Sequence, residues 1–492
     1  MNKPLRHIAV FCGVMVLALL IRATWVQFVQ GDTLAGNEHN RRVQIAAFAQ
    51  PRGDIVVGGE PVTGSVATPG SDFRYKRTYK DGPMYAPVTG YLSQAQGATF
   101  LEGVHTKVMS GKDDRLFLDR TKSLFTGETP RGGDVITTID PAAQKAAYQG
   151  LTDLKAKGAV VALDPRSGKI LAMASTPSYD PSAFAGISKK EGEEFRRLDA
   201  AKDKPLSNRA LREAYPPGST FKILTAAAAI EHGVVSDIDA PMPDAPAPYT
   251  LPLSTTQVGN DVDNALCDKV SLKTGMQWSC NNVFLQTALK TGNDRMRETA
   301  EKFGFNHEQF TPVRSAKSGY PARLDKPQTA LTGMGQGSLT STPLQMAMVT
   351  AGLANDGKVM KPYMVEELRG PDLTTLEKAS PEVLDQAVSV GTAKKVQEMM
   401  EFTASEGTAK KVRIDGVTVG GKTGTAQHGA DVREQRPYAW FVSYAKQSDG
   451  TSPVAVAVFV DPADMDIERS DIAGGKLGAP IAKAVMRAVL KK

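Results

Sequence analysis

The sequence predicts an α+β protein hung from one membrane-spanning helix, and three observations carry that expectation. An apolar run opens the chain. A Gly- and Thr-rich stretch with short β-like pieces follows. Beyond it, strand-like segments lie at both ends of a region whose middle reads as helix. At 492 residues the chain exceeds one ordinary domain, so more than one folded unit is expected.

Taken in order, residues 1–7 carry Lys3 and Arg6, and Ile8 to Ile21 contains no polar residue. Residues 8–28 would span roughly 31 Å as a helix, enough to cross a bilayer. Arg22 lies close enough to the helix end to snorkel. A cleaved signal peptide would need a small-x-small site after the apolar run, and "RATWVQFVQG" offers a poor one. The reading is therefore an uncleaved signal-anchor. Its basic flank puts the N-terminus in the cytoplasm and everything after residue 29 outside the cell membrane.

Residues 29–150 hold β-like pieces such as "DIVVGGEPV" and "DVITTI" and form a small β-rich unit. Residues 151–492 form the main domain. "GAVVALDPRSGKILAMAS" reads as two strands, Ala159–Leu163 and Lys169–Ala174, joined by a turn of Asp, Pro, Ser and Gly. "VTVGGKTGTA", "YAWFVSYA" and "PVAVAVFV" read as three more. Distant strands with helices between them predict one antiparallel sheet with helices on its faces and a helical insert. Thr342, Pro343 and Gln345 form a capping-box pattern, and Ile481, Val485, Met486 and Val489 a helical stripe. Pro241–Ser254 is too proline-rich for either element and reads as a loop.

Composition narrows the function. The net charge of +6 is spread thinly, with no arginine cluster interleaved with aromatics, so nucleic acid is not an expected partner. Six histidines and three cysteines without C-x-x-C or H-x-x-x-H spacing give no metal site, and no cofactor is expected. Cys12 falls inside the membrane segment. Cys267 and Cys280 lie in a region expected outside the cell, where a disulfide or two buried thiols are both open. A bridge closing that loop would contribute on the order of 3 kcal/mol.

The chemistry is sought in "YPPGSTFKI", which runs into the almost charge-free "LTAAAAI". Ser219 and Lys222, at i and i+3, share one helix face. A serine hydroxyl needs a base, and a lysine serves only when burial or a nearby cation lowers its pKa. The apolar helix would supply that burial. A second S-x-x-K at Ser443 and Lys446 lies in a strand-like run, where i and i+3 face opposite ways. "WSCNN" contributes Ser279, able to relay a proton, and Asn281, an amide for a substrate carbonyl or the lysine. Read alone, such a pair is more often a cap or turn. Lys422, Thr423, Gly424 and Thr425 end a β-like run of small residues, whereas the K-T-G copies at Lys273 and Lys290 do not. Such a strand leaves room for an extended ligand along its edge, with Lys422 binding a carboxylate and its charge depressing the Lys222 pKa. The N–H groups of Ser219 and Thr425 are candidates for an oxyanion hole.

S-x-x-K, S-x-N and K-T-G in this order resemble the penicillin-binding proteins and serine β-lactamases. "RGDI" at Arg52, "GGDVITTID" at Gly132–Asp140, "NRA" before "YPPGSTFK", and "GMGQGSLTSTPLQMA" extend the likeness to class B penicillin-binding proteins. Within that class the chain is similar to the actinobacterial penicillin-binding protein A group, which the Cys267/Cys280 pair also fits. The resemblance implies a pedestal (dimerisation-type) domain at 29–150 and a transpeptidase domain at 151–492, with a five-stranded antiparallel sheet and an all-helical subdomain. It implies a D,D-transpeptidase of cell wall synthesis, acting in growth or division. Ser219 would be the nucleophile, Lys222 the base, Ser279 the proton relay and Asn281 the contact to the substrate amide. Lys422, Thr423, Gly424 and Thr425 would hold the terminal carboxylate. The implied partners are peptidoglycan stem peptides ending in D-Ala-D-Ala, β-lactams that stall at the acyl-enzyme, and a membrane glycan polymerase with other division proteins. A β-lactamase is disfavoured by the absence of any Leu-Asn pair for the E-x-x-L-N segment. A bifunctional class A protein would need a glycosyltransferase domain that 29–150 is too short to hold. A β-lactam-acylated sensor or division scaffold with little turnover is the alternative from another class.

Overall fold

The computed structural model describes residues 3–35, 45–117, 131–429 and 435–492. The N-terminal helix runs Lys3–Phe28, longer than residues 8–28 because Lys3 and Arg6 continue it. It is long and apolar enough to cross a membrane, with a mean hydropathy of 2.2, and none of it is buried against the rest of the chain.

The main sheet has five strands, ordered Thr418–Ala426, Tyr438–Lys446, Val454–Asp461, Lys157–Leu163 and Ile170–Thr176, all antiparallel. These are the five expected strands. Both faces are covered, which is why "VAVAVFV" reads as an unbroken apolar run rather than an alternating one. Val161, Trp440, Ala457 and Phe459 face a core shared with Ile223, Leu224, Leu344 and Met346. Their neighbours Val160, Phe441, Val456 and Val458 face the other core, shared with Leu151, Ile481, Val485 and Met486. That is the two-residue period of a strand, with helices on both sides.

Residues 29–150 hold two two-stranded sheets of their own, Thr63–Ala67 with Tyr75–Tyr79 and Leu92–Ser93 with Gly97–Ala98, but they do not complete the larger one. The second sheet is ordered Thr375–Lys378, Val365–Arg369, Asp134–Thr137, Ile55–Val57 and Glu60–Pro61, so two of its five strands come from far down the chain. Helix Pro141–Asp153 packs the other way, onto the C-terminal helix Gly474–Leu490; a Cβ on Gly150 would lie 2.9 Å from Ile481.

Two local expectations change. Thr342 caps helix Pro343–Ala354, but Gln345 sends its side chain to Phe303 O (2.7 Å) rather than back to the cap, so the box is half formed. The proline-rich loop contains a two-residue strand, Tyr249–Thr250, paired with Gln257–Val258. Ser443 and Lys446 do lie on a strand and point apart, to Gly420 O and to Glu401.

Candidate active site

Two prolines and a glycine set the entry to the serine. Trp440 Nε1 donates to Pro216 O (3.0 Å), and Tyr215 exchanges backbone hydrogen bonds with Ser341. Gly218 has φ +54°, and a Cβ there would sit 2.7 Å from Thr425 O. Ser219 lies in a 3₁₀ turn, Gly218–Phe221, and Lys222 opens the α-helix that ends at Glu231. In a 3₁₀ turn i and i+3 eclipse, which aligns the two side chains more closely than an α-turn would.

Lys222 is fully buried. Its Nζ donates to Ser279 O (2.7 Å) and Asn281 Oδ1 (2.7 Å), with Ser279 Oγ at 3.3 Å. The first two partners can only accept, and together they use the two hydrogens of a neutral amine. The third direction, toward hydroxyl groups, is then free for the lone pair. Burial pushes the Lys222 pKa down to about 7, against the opposing pull of Asp261.

Ser279 closes helix Leu272–Trp278 in the left-handed region, φ +61°, unusual for a non-glycine residue. That bend turns its hydroxyl toward a second buried amine, Lys422, whose Nζ donates to Ser279 Oγ (2.8 Å) and Thr423 O (2.9 Å). Lys422 is pushed well below the usual lysine range, by burial first and by the charge of Lys222 second. Burial is the leading cause at both amines, and each charge disfavours protonation of the other.

Cys267 and Cys280 form a disulfide, with Cα atoms 5.5 Å apart. The bridge brings a loop beside Asn281 that sequence reasoning missed. Asn281 N donates to Asn260 Oδ1 (2.6 Å) and Asn281 Nδ2 to Gly259 O (2.8 Å), and Asp261 supplies the counter-charge to both lysines. The cysteine spacing was the signal that could have placed it.

On the Lys-Thr-Gly strand, a Cβ at Gly424 would lie 2.9 Å from Thr220 Cγ2 and 3.0 Å from Trp440 Cβ, so the strand approaches the serine turn closely only because glycine stands there. Thr423 shares its hydroxyl with Thr408 (3.0 Å), another residue not foreseen. Thr425 is half-buried beside Gly218. Ser219, Lys222, Ser279, Asn281 and Lys422 thus come together from three separate segments. Among the described residues there is no cluster of metal-ligating side chains.

The family model "Penicillin binding protein transpeptidase domain" matches residues 158–487. The chain belongs to the penicillin-binding protein transpeptidase family. A second model of that family, "Penicillin binding protein A dimerisation domain", matches residues 52–135. Among penicillin-binding relatives, the chain is 40% identical to the peptidoglycan D,D-transpeptidase PbpA of Mycolicibacterium smegmatis, over all of both chains. It is 38% identical to PbpA of Mycobacterium tuberculosis, over all of this chain and 99% of the other. The fold matches the ceftriaxone acyl-enzyme complex of penicillin-binding protein A from M. tuberculosis with a TM-score of 0.84, at 38% identity, covering 91% of this chain and 100% of that one. The penicillin G acyl-enzyme of the same protein matches at 0.83, with 38% identity over 90% of this chain and 100% of that one.

Proposed function

We propose that this chain is a serine-type peptidoglycan D,D-transpeptidase that works through an acyl-enzyme on Ser219. The observation that carries the reading is the pair of buried amines, Lys222 and Lys422, sharing the Ser279 hydroxyl beside the serine turn. A stem peptide ending in D-Ala-D-Ala lies along the free edge of the Lys-Thr-Gly strand. Its terminal carboxylate is held by Lys422 and Thr423, and its penultimate carbonyl lies between the N–H groups of Ser219 and Thr425. Asn281 contacts the substrate amide. The Ser219 proton passes to Lys222 as its oxygen attacks the carbonyl carbon. When the C–N bond breaks, Ser279 hands a proton to the leaving D-alanine. An amine on a neighbouring peptide then attacks the ester, gives up its proton along the same path, and frees Ser219. β-Lactams follow the first half and stall.

The reading extends to the whole chain. Helix Lys3–Phe28 is a single-pass anchor with its N-terminus in the cytoplasm and the catalytic domain outside. The pedestal ends ahead of Pro141, because the helix that starts there packs with the catalytic sheet's C-terminal helix. A membrane glycan polymerase is the natural partner, since cross-linking needs fresh glycan.

The test is fluorescent penicillin labelling of the full-length chain in detergent, beside Ser219→Ala. A covalent band that vanishes in the variant is expected, with an adduct that lasts for hours. No band in folded wild type sinks the serine mechanism. A band without cross-linking of peptides would instead identify a sensor or scaffold, and rapid loss of the label a β-lactamase.

A further inference from the structure

The Lys-Thr-Gly strand, Thr418–Ala426, is an edge of its sheet, paired on one side only. Successive residues of an antiparallel strand aim their N–H and C=O alternately at the partner and at the free side. The parity is fixed by contacts. Gly420 O accepts from the Ser443 hydroxyl of the paired strand (2.8 Å), so even-numbered residues face inward. Thr423 O accepts from Lys422 Nζ, and Thr425 O faces the serine turn, so odd-numbered residues face the free edge. The next outward residue is Gln427, one step past the strand.

There the edge is already occupied. The Gln336 side-chain amide, oriented to satisfy both partners, donates to Gln427 O (3.2 Å) and accepts from Gln427 N (3.1 Å). This is the two-point pairing that a residue of an added strand would make. The turn that carries Gln336 is itself anchored. It ends helix Lys326–Gly333, Gln336 N donates to Leu331 O (3.1 Å), and the flanking Gly335 and Gly337 have φ of +77° and +78°. Gly335 O accepts from Gly218 N (3.0 Å), so one turn holds both the entry to the nucleophile and the end of the binding edge.

We propose that Gln336 is a specificity-determining residue: it stands in for a strand at Gln427, limits a donor peptide to the edge positions Thr423 and Thr425, and turns the chain off the strand just before its D-Ala-D-Ala. A peptide displaced by one two-residue repeat would need Gln427, which Gln336 denies it. The inference rests on the donor orientation given under Proposed function.

The experiment compares full-length wild type, Gln336→Ala and Gln336→Met, reading kcat and KM separately. The probes are peptides ending in D-Ala-D-Ala with zero to three residues added on the N-terminal side. Penicillin labelling of each variant, at whatever rate, reports that the serine site has folded. In wild type and Gln336→Met, where the edge stays blocked, backbone extension gives little change in KM. In Gln336→Ala, extension lowers KM on the order of fivefold, the worth of one net backbone hydrogen bond, and kcat falls through misregistered binding. A length profile in Gln336→Ala identical to wild type overturns the proposal. So does an equal loss of all peptides in both variants, which would make Gln336 a structural tie. Wild type that neither labels nor acts on any peptide overturns the parent reading, and this one with it.

Discussion

At the scale of single residues, the proposed mechanism depends on keeping an amine neutral. Lys222 has a pKa pushed down to about 7 by burial. Below that value the amine holds a proton and cannot take one from Ser219; above it the lone pair is available. Penicillin acylation, followed by stopped flow, is therefore expected to rise with pH along a single limb centred near the Lys222 value and then to level off. Lys222→Arg keeps the charge but stays protonated at every accessible pH. It should lower acylation by about a thousandfold or more without restoring a limb. A pH-independent wild type would overturn the role of Lys222 as base. Lys422 carries a second consequence. Its proton is disfavoured by burial and by Lys222, so binding of a ligand carboxylate beside it is expected to be accompanied by proton uptake. Calorimetry in buffers of different ionisation enthalpy reads that directly. Ser219 and Lys222 were legible as a pair from their spacing. The bond from Lys422 to Ser279 was not, because it joins residues 143 positions apart.

At the scale of elements, two glycines in one turn separate backbone strain from close approach. Gly335 and Gly337 share the left-handed conformation, but a Cβ at Gly335 would lie 1.9 Å from Gly218 O, against 3.2 Å from the flexible end of Gln328 at Gly337. Gly337→Ala should cost about 1 kcal/mol, the price of the conformation alone. Gly335→Ala must also push the serine turn away, so a loss of about 2–4 kcal/mol and much slower acylation are expected. Thermal unfolding and penicillin labelling of both variants check this. Equal effects at the two positions would mean that the contact with Gly218 does not hold the nucleophile. The glycine pattern "GMGQG" was visible as part of the family likeness, yet what the turn touches was not. The same holds for the half-formed box at Gln345. Its sequence signature was sound, and a carbonyl from another helix, Phe303 O, competed for the side chain.

At the scale of the whole molecule, the pedestal and catalytic parts share covalent and hydrogen-bonded structure. Strand Val365–Arg369 leaves the catalytic region to pair with Asp134–Thr137. Beneath that sheet lies a buried ionic cluster: Glu102 accepts from Arg52 Nε (2.9 Å) and Arg77 Nε (2.6 Å), and all three side chains are almost fully enclosed. Glu102→Ala leaves Arg52 without a carboxylate and Arg77 with Asp54 alone (3.3 Å), and is expected to destabilise the fold by about 3–5 kcal/mol. Because the sheet is shared, labelling at Ser219 should be lost in the same thermal transition as the pedestal. Two separate transitions, with acylation surviving the first, would show the parts to be independent. By itself the sequence determined the long apolar N-terminal helix, the five strands of the main sheet and the pairing of Ser219 with Lys222, because these depend on periodicity and short spacings along the chain, while the order of its motifs carried the family resemblance. Only the tertiary structure decided that residues 365–378 complete the pedestal sheet, that Ser279 joins two buried amines, that a loop tied by Cys267–Cys280 orients Asn281, and that Gln336 pairs with Gln427 at the end of the Lys-Thr-Gly strand. Each of those is a contact between distant segments, fixed by how the packed helices and sheet leave polar groups to find partners, and no local pattern encodes it.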